Sequence, residues 1–317
     1  MKKYITILLS LFISLALYSQ VLFNDTVVIT ANWQKGYEAI YEVVKSKIQY
    51  SNDQQELNTN QKFYIKLKVL DATKDNYTIE YGIDSVQFNL EQKNLELTNI
   101  INKILPKIKY VFITDIYGEF VELLNWEKTR DSIFNLFENS GIINELGVTD
   151  ANEKEKIIQT LKNMYNSQEA VESMLAKDIL FLFSFYGYQY PINQTVYFES
   201  FYKIPIGEAS VLGNGQIKLI STNAEENMIE VFQTIDLDEK DVKKAIYSYI
   251  EKMTKELDLD KESIKEMKKI NYMIHDSTHI KFDLNSGWFI DGYFKRNSLI
   301  NQEKKLQRID IISYKKN

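Results

Sequence analysis

The stretch Asn60–Asp71, NQKFYIKLKVLD, constrains the fold most. Phe63, Ile65, Leu67 and Val69 alternate with Lys62, Tyr64, Lys66 and Lys68. A period of two puts one set on a buried face and the other in water, so this is a half-buried β-strand. Gly36–Tyr50 before it and Asn76–Leu90 after it have the same strand character. Gly82 marks a point where a bulge or bend would shift the alternation of the third segment. DATKDN (71–76) is turn chemistry. Consecutive strands with short links predict an antiparallel meander rather than a βαβ fold. The high aromatic content (13%, 21 Tyr) and only three prolines agree with many strands.

Residues 90–105 have helical spacing, with Leu97, Ile100, Ile101, Ile104 and Leu105 on one stripe and Pro106 ending it. Residues 109–124 form a hairpin turning at Asp115-Ile116-Tyr117-Gly118. From Trp126 to about Tyr186 the pattern is helical, in three segments: 126–141, 152–165 and 167–187. Strands return after Pro191 as 195–205, 215–222 and 227–236, joined by turns at GNG (213–215) and TNAEEN (222–227). A helix from about Asp238 to Leu257 follows, with Asp238 as N-cap, and then strands at 279–284, 287–296 and 305–315.

The expected fold is therefore α+β: a curved antiparallel sheet, half-barrel-like, with helices covering one face. Its parts would be a leader (1–19), a first β-rich half (20–125), a helical insert (126–190) and a second β-rich half (191–317) that either shares the first sheet or forms a separate lobe. Both halves read strand, strand, strand, helix, strand, turn, strand. FITDIYGEF and IKFDLNSGWF match in detail: an Asp ends a strand, a Gly closes the turn and an aromatic starts the next strand. Duplication and simple likeness between meanders both account for this.

Lys2 and Lys3, the apolar run Ile5–Ala16 and Ser19 before Gln20 read as a secretory signal peptide, which predicts a periplasmic or extracellular protein. Its removal leaves roughly 300 residues, ample for a large core, and takes the formal charge from −6 to about −8. An acidic chain with dispersed lysines argues against nucleic acid as partner. No apolar run long enough to span a bilayer as a helix follows the leader. Without cysteine there are no disulfides, thiolate metal sites, thiol nucleophiles or lipobox.

The chemical motifs are sparse. His275 and His279, in HDSTH, are the only histidines. On a helix their spacing would suit one metal ion. On a strand they lie about 13 Å apart and cannot share it, and Thr278 and Ile280 favour the strand, so no metal is expected. There is no nucleophile elbow, no Ser-x-x-Lys with its companion motifs and no phosphate loop, GNGQI reading as a hairpin turn. Asp115, Glu119, Asp283 and Asp291 flank the two hairpins. Paired acids serve glycoside chemistry, but acids at such places more often cap turns. No catalytic residue and no cofactor is assigned. In DILFLFSFYGYQYP (178–191) the helix is apolar all round, which suits burial between layers or the wall of an apolar pocket. The candidate pocket wall is Ile179, Phe181, Phe183, Phe185 and Tyr186.

FDLNSGWFIDGYFKR (282–296) and DIYGEFVELLNWEKTRDSIFNLFE (115–138), with the leader and the missing cysteines, resemble secreted proteins of unknown function common in Bacteroidota. The architecture also resembles the Lol-type lipoprotein-carrier half-barrel. That resemblance implies a concavity that takes acyl chains. The expected function is non-enzymatic binding of a lipid or other small apolar or amphiphilic ligand. A structural or protein-interaction module of the cell envelope is the alternative, and a carboxylate-based hydrolase the third reading. An outer-membrane barrel would use the same alternation, but the helical insert argues against it.

Overall fold

The computed structural model describes residues 25–52, 54–88, 105–139, 141–145, 148–175, 177–203, 210–223, 227–257, 271–300 and 304–315. The strands are β1 (Thr26–Val28), β2 (Glu38–Ser51), β3 (Gln54–Ala72), β4 (Asn76–Phe88), β5 (Lys109–Asp115), β6 (Phe120–Leu123), β7 (Gln189–Pro191), β8 (Thr195–Lys203), β9 (Ser210–Asn223), β10 (Met228–Leu237), β11 (Tyr272–Asp283), β12 (Phe289–Ile300) and β13 (Lys304–Lys315). The helices are α1 (Trp126–Asn139), α2 (Ile142–Glu145), α3 (Ala151–Met164), α4 (Gln168–Leu175), α5 (Lys177–Phe183) and α6 (Glu239–Leu257).

Eleven strands form one curved, open antiparallel sheet in the order β6-β5-β4-β3-β2-β13-β12-β11-β10-β9-β8. The two meanders thus share a sheet, joined where β13 pairs with β2 from Lys304↔Ser51 to Lys315↔Ile40. In β3 the alternation is as read: Phe63, Ile65, Leu67 and Val69 are buried and the lysines between them are not. The inner face so defined carries the core.

Three segments fill the apolar part of that face. The strap before β2 pairs through β1 with β7 and runs inward to Trp33, which is 3% exposed. Trp33 stacks on Trp288 at 4.6 Å and meets Tyr77, Phe183 and Tyr186 edge-on. Helix α5 and the turn after it add Ile179, Leu182, Phe183, Phe185 and Tyr186, all buried. Near β8 the face is covered separately by α6, whose Val242, Ala245 and Ile246 pack on Val211, Ile235 and Leu237. Asp238 caps α6, accepting from the Lys240 and Asp241 backbone N–H groups.

The strap is held by two turns of the same design. Asp115 Oδ1 accepts from the N–H groups of Tyr117, Gly118 and Glu119, and Gly118 has φ +102°. Asp283 Oδ1 accepts from the Asn285 N–H, Oδ2 accepts from the Ser286 hydroxyl, and Gly287 has φ +70°. The Ala31 N–H donates to the Tyr117 carbonyl and Asn32 Nδ2 donates to the Asn285 carbonyl, so the strap crosses between them. A Cβ on Gly287 would lie 2.4 Å from the Thr30 carbonyl oxygen; the turn needs glycine for this approach as well as for its φ. The correspondence stops at strand register: Ile79 pairs with Phe112, three residues before Asp115, whereas Ile229 pairs with Phe282, one before Asp283.

Several local expectations are corrected. GNG (213–215) is not a turn but lies inside β9. Its glycines make room for rings of β8: a Cβ on Gly213 would come within 2.5 Å of Tyr202, and one on Gly215 within 2.2 Å of Phe198. The register shift in β4 falls beyond Ile83 rather than at Gly82, and Gly82 instead accommodates the Lys109 side chain. The segment 167–187 forms two helices, α4 and α5. The predicted leader and most of the helix expected over 90–105 lie outside the described residues.

Candidate functional site

The inner face changes character along its strands, and register shows how. One cross-strand row, Leu219–Val231–Ile280–Gly292–Ile312–Val43–Phe63–Val86, is wholly apolar. Two residues further along the strands lies Ile217–Gln233–Thr278–Phe294–Asp310–Lys45–Gln61–Phe88. The next row is Gly215–Ile235–Asp276–Arg296–Arg308–Lys47–Thr59. The face therefore passes from hydrocarbon to ionic within two rows, about 13 Å of strand.

A cavity of about 50 Å³ sits at this transition, between α5 and the sheet. Val43, Ile65, Tyr81, Phe181, Leu182 and Ile312 form its apolar wall; Lys45, Phe294, Arg308 and Asp310 complete it. Phe181 meets Phe294 edge-on at 5.6 Å. Two guanidiniums lie over the Phe294 ring, Arg296 at 5.7 Å and Arg308 at 5.8 Å from its centroid. Two carboxylates hold these guanidiniums by forked contacts. Arg296 donates from Nε and Nη2 to Asp276 at 2.7 and 2.6 Å, and Arg308 donates in the same way to Asp310. Asp276 and Asp310 are 6% and 5% exposed, so the forked donors of each arginine replace the water that burial takes from its carboxylate.

Of the five residues named from the sequence, Phe181 lines this cavity. Ile179, Phe183, Phe185 and Tyr186 point into the packed core, each 2% exposed or less. Burial raises the Tyr186 phenol well above its usual value, and its hydroxyl donates to the Gly287 carbonyl at 2.5 Å. The cavity residues from β2, β12 and β13 had a partial signal. Tyr41, Val43, Lys45 and Lys47 share one parity in VVKSKIQY and its lead-in, so the change from apolar to basic was visible on a single strand.

HDSTH lies in the extended strand β11. His275 Nδ1 is 2.7 Å from Asp236 and His279 Nε2 is 3.0 Å from Glu230, so each imidazole has its own carboxylate on β10. Four strand steps apart, the two rings cannot ligate one ion. The hairpin acids do not converge either: Asp115 and Asp283 serve their own turns, Glu119 meets the Tyr188 hydroxyl at 3.4 Å, and Asp291 lies within β12.

Fold and inner face together define an α+β protein with one open, curved antiparallel sheet, helices on its inner face and an amphipathic cavity beneath one of them. No helix among the described residues is long and apolar enough to cross a membrane. No family model matches the chain, and no curated protein matches it. Among solved structures it is similar to one described as lipid–protein interactions in lipovitellin, at 8% identity and TM-score 0.40, over 90% of this chain and 26% of that one. A second is the loop-L8 deletion mutant of OmpT, an outer membrane protein of Vibrio cholerae, at 5% identity and TM-score 0.21, over 89% and 100%. The chain spans about a quarter of the lipovitellin chain, and residue roles are argued from this protein's own geometry.

Proposed function

We propose that this is an exported, non-enzymatic protein that holds the apolar part of a small ligand between α5 and the inner face of the sheet. The observation that carries this reading is the cavity under Phe181 and Leu182, placed where the apolar row gives way to the ionic one. Left empty, about 50 Å³ of apolar void costs on the order of 1 kcal/mol, and an entering hydrocarbon recovers that cost plus about 0.8 kcal/mol for each methylene buried. At this size the cavity takes the end of a chain. A longer chain requires the half-buried Phe181 to swing aside.

Native mass spectrometry of protein purified from its own host tests the reading. A lipid-sized adduct is expected. Protein that carries no adduct, and acquires none on incubation with an extract of the host membranes, would refute it. Export rests on residues 1–19, and N-terminal sequencing of the same material should begin at Gln20.

One observation favours an envelope interaction module as the second reading. The β6 edge of the sheet is met by α4, where Glu172 accepts from the Leu123 N–H. The β8 edge has no further strand among the described residues and displays Tyr197 (76% exposed) and Phe201 (71%). If that edge is the functional surface, Tyr197→Ser with Phe201→Ser abolishes partner capture and leaves the adduct unchanged.

A further inference from the structure

The cavity under α5 has walls of unequal firmness. Val43 and Ile312 are directly opposite each other on β2 and β13, and Ile65 lies one row further on β3. With Tyr81 and Leu182 they are buried and belong to the main hydrophobic cluster. Beyond Val43 the inner face of β2 is closed by Tyr41. Its ring stacks on Phe289 at 3.9 Å, and its hydroxyl donates to the Phe289 carbonyl at 3.2 Å. Phe181 differs: it is half-buried, and its ring meets Phe294 and Phe185 edge-on at 5.6 and 6.1 Å. One wall can therefore turn outward, whereas the floor on the sheet gives way only by straining close-packed side chains. The void of about 50 Å³ is a third of the ~150 Å³ that admits a benzene ring. By that measure it has room for about two carbon atoms.

We infer that the site selects its ligand by the shape of the chain end: it takes an unbranched alkyl terminus and excludes a branched or ring-bearing one. The last carbons of a straight chain fill the void between Val43, Ile65, Ile312 and Leu182. A methyl branch at the same depth adds a carbon that enters only by displacing packed side chains, and such overpacking is costly. Length is read by a different wall. Turning Phe181 outward lengthens the path above the floor and leaves the floor as it is, so a long chain is accepted where a thick one is not. This inference rests on the binding reading above and adds to it the class of hydrocarbon, a linear chain.

The test compares three alcohols with the same number of carbons and different ends: dodecanol, its isomer with a methyl branch on the last carbon but one, and phenylhexanol. Each is measured by equilibrium dialysis against the purified protein, below its solubility limit. Dodecanol should bind about tenfold more tightly than its branched isomer, as an extra methyl group forced into a packed wall implies, and phenylhexanol more weakly than either. Ile312→Val removes one methylene from the floor and should bring the ratio of dodecanol to isomer down to about threefold or less. Phe181→Ala should leave that ratio near its original value. Val43→Ile fills the void and should weaken dodecanol about tenfold, with an unfolding midpoint no lower than that of the unaltered protein. Equal affinity for dodecanol and its isomer overturns selection by shape and leaves the binding reading standing. A ratio abolished by Phe181→Ala and untouched by Ile312→Val overturns the assignment of that selection to the floor. Undiminished dodecanol binding by folded Val43→Ile places the ligand elsewhere and overturns the inference. Binding of none of the alcohols to the unaltered protein overturns the binding reading and this inference together.

Discussion

The two ends of the inner face are built by opposite means. At one end Trp33, Phe112, Phe183 and Tyr186 interlock edge to face, with Trp288 stacked on Trp33. Stability there comes from excluded water and close packing. At the other end the sheet surface is held by forked arginine–aspartate pairs, whose buried carboxylates are tolerable only while the pairs are intact. The first arrangement resists change in shape and the second resists change in charge. The cavity lies on the seam between the two.

The largest expected effect tests the packed end. Phe183 is 1% exposed and contacts Trp33, Phe112 and Tyr186, so Phe183→Ala should cost about 3–5 kcal/mol, read from the urea midpoint at unchanged slope. A loss below about 1 kcal/mol would mean that this end is not closely packed, and the contrast would collapse. Arg296→Met comes next. It strands Asp276 as a buried carboxylate and should cost about 2–3 kcal/mol, whereas Asp276→Val added to it should restore most of the loss. If the double variant is no better than the single, the pair is not what holds the ionic end.

A smaller effect is expected at the seam. Phe181 is only half-buried and borders the cavity, so Phe181→Ala should cost about 1 kcal/mol while enlarging the void. Dodecanol should then bind more tightly than to the unaltered protein. Weaker binding would show that the Phe181 ring is a contact surface for the ligand rather than an obstacle to it.

How much of this was legible follows from how local each feature is. The strands could be read because one face of each is wet: Phe63 to Val69 alternate with lysines that have no reason to be inside. The turns at Asp115 and Asp283 could be read because Asp and Gly do their work within five residues of chain. The cavity could not be read whole, because its wall joins β2 to β13, strands from opposite ends of the chain whose register no local pattern sets. The candidate wall was drawn from one greasy helix. A helix apolar on all sides has most of its residues in the core, and of the five candidates only Phe181 borders the void, beside Leu182. GNG misled for a related reason: paired glycines usually mark a turn, and the rings of Phe198 and Tyr202 that require them here lie on the neighbouring strand.

The outer face offers the control for the ionic row. Glu42 lies on the opposite side of β2 from Lys45 and Lys47, bridged to Lys62 at 2.7 Å and Lys315 at 3.2 Å. The hydrogen bond from Lys62, helped by Tyr64 and Lys315 against some desolvation, pulls its carboxyl down to about 2. An unfolded glutamate titrates near ~4.3. The folded value is the lower one, so the contribution is complete above about 4.3 and is lost as pH falls through about 2. Because the lysine partners are well exposed, the contribution after solvent screening is only about 1 kcal/mol or less. Glu42→Gln should therefore differ slightly from the unaltered protein in chemical denaturation at pH 7, and the difference should vanish on acidification over that window. It should also shrink in high salt, as exposed ion pairs do, while the loss in Arg296→Met persists. Equal salt sensitivity of the two variants would mean that the inner row is as open to water as the outer one.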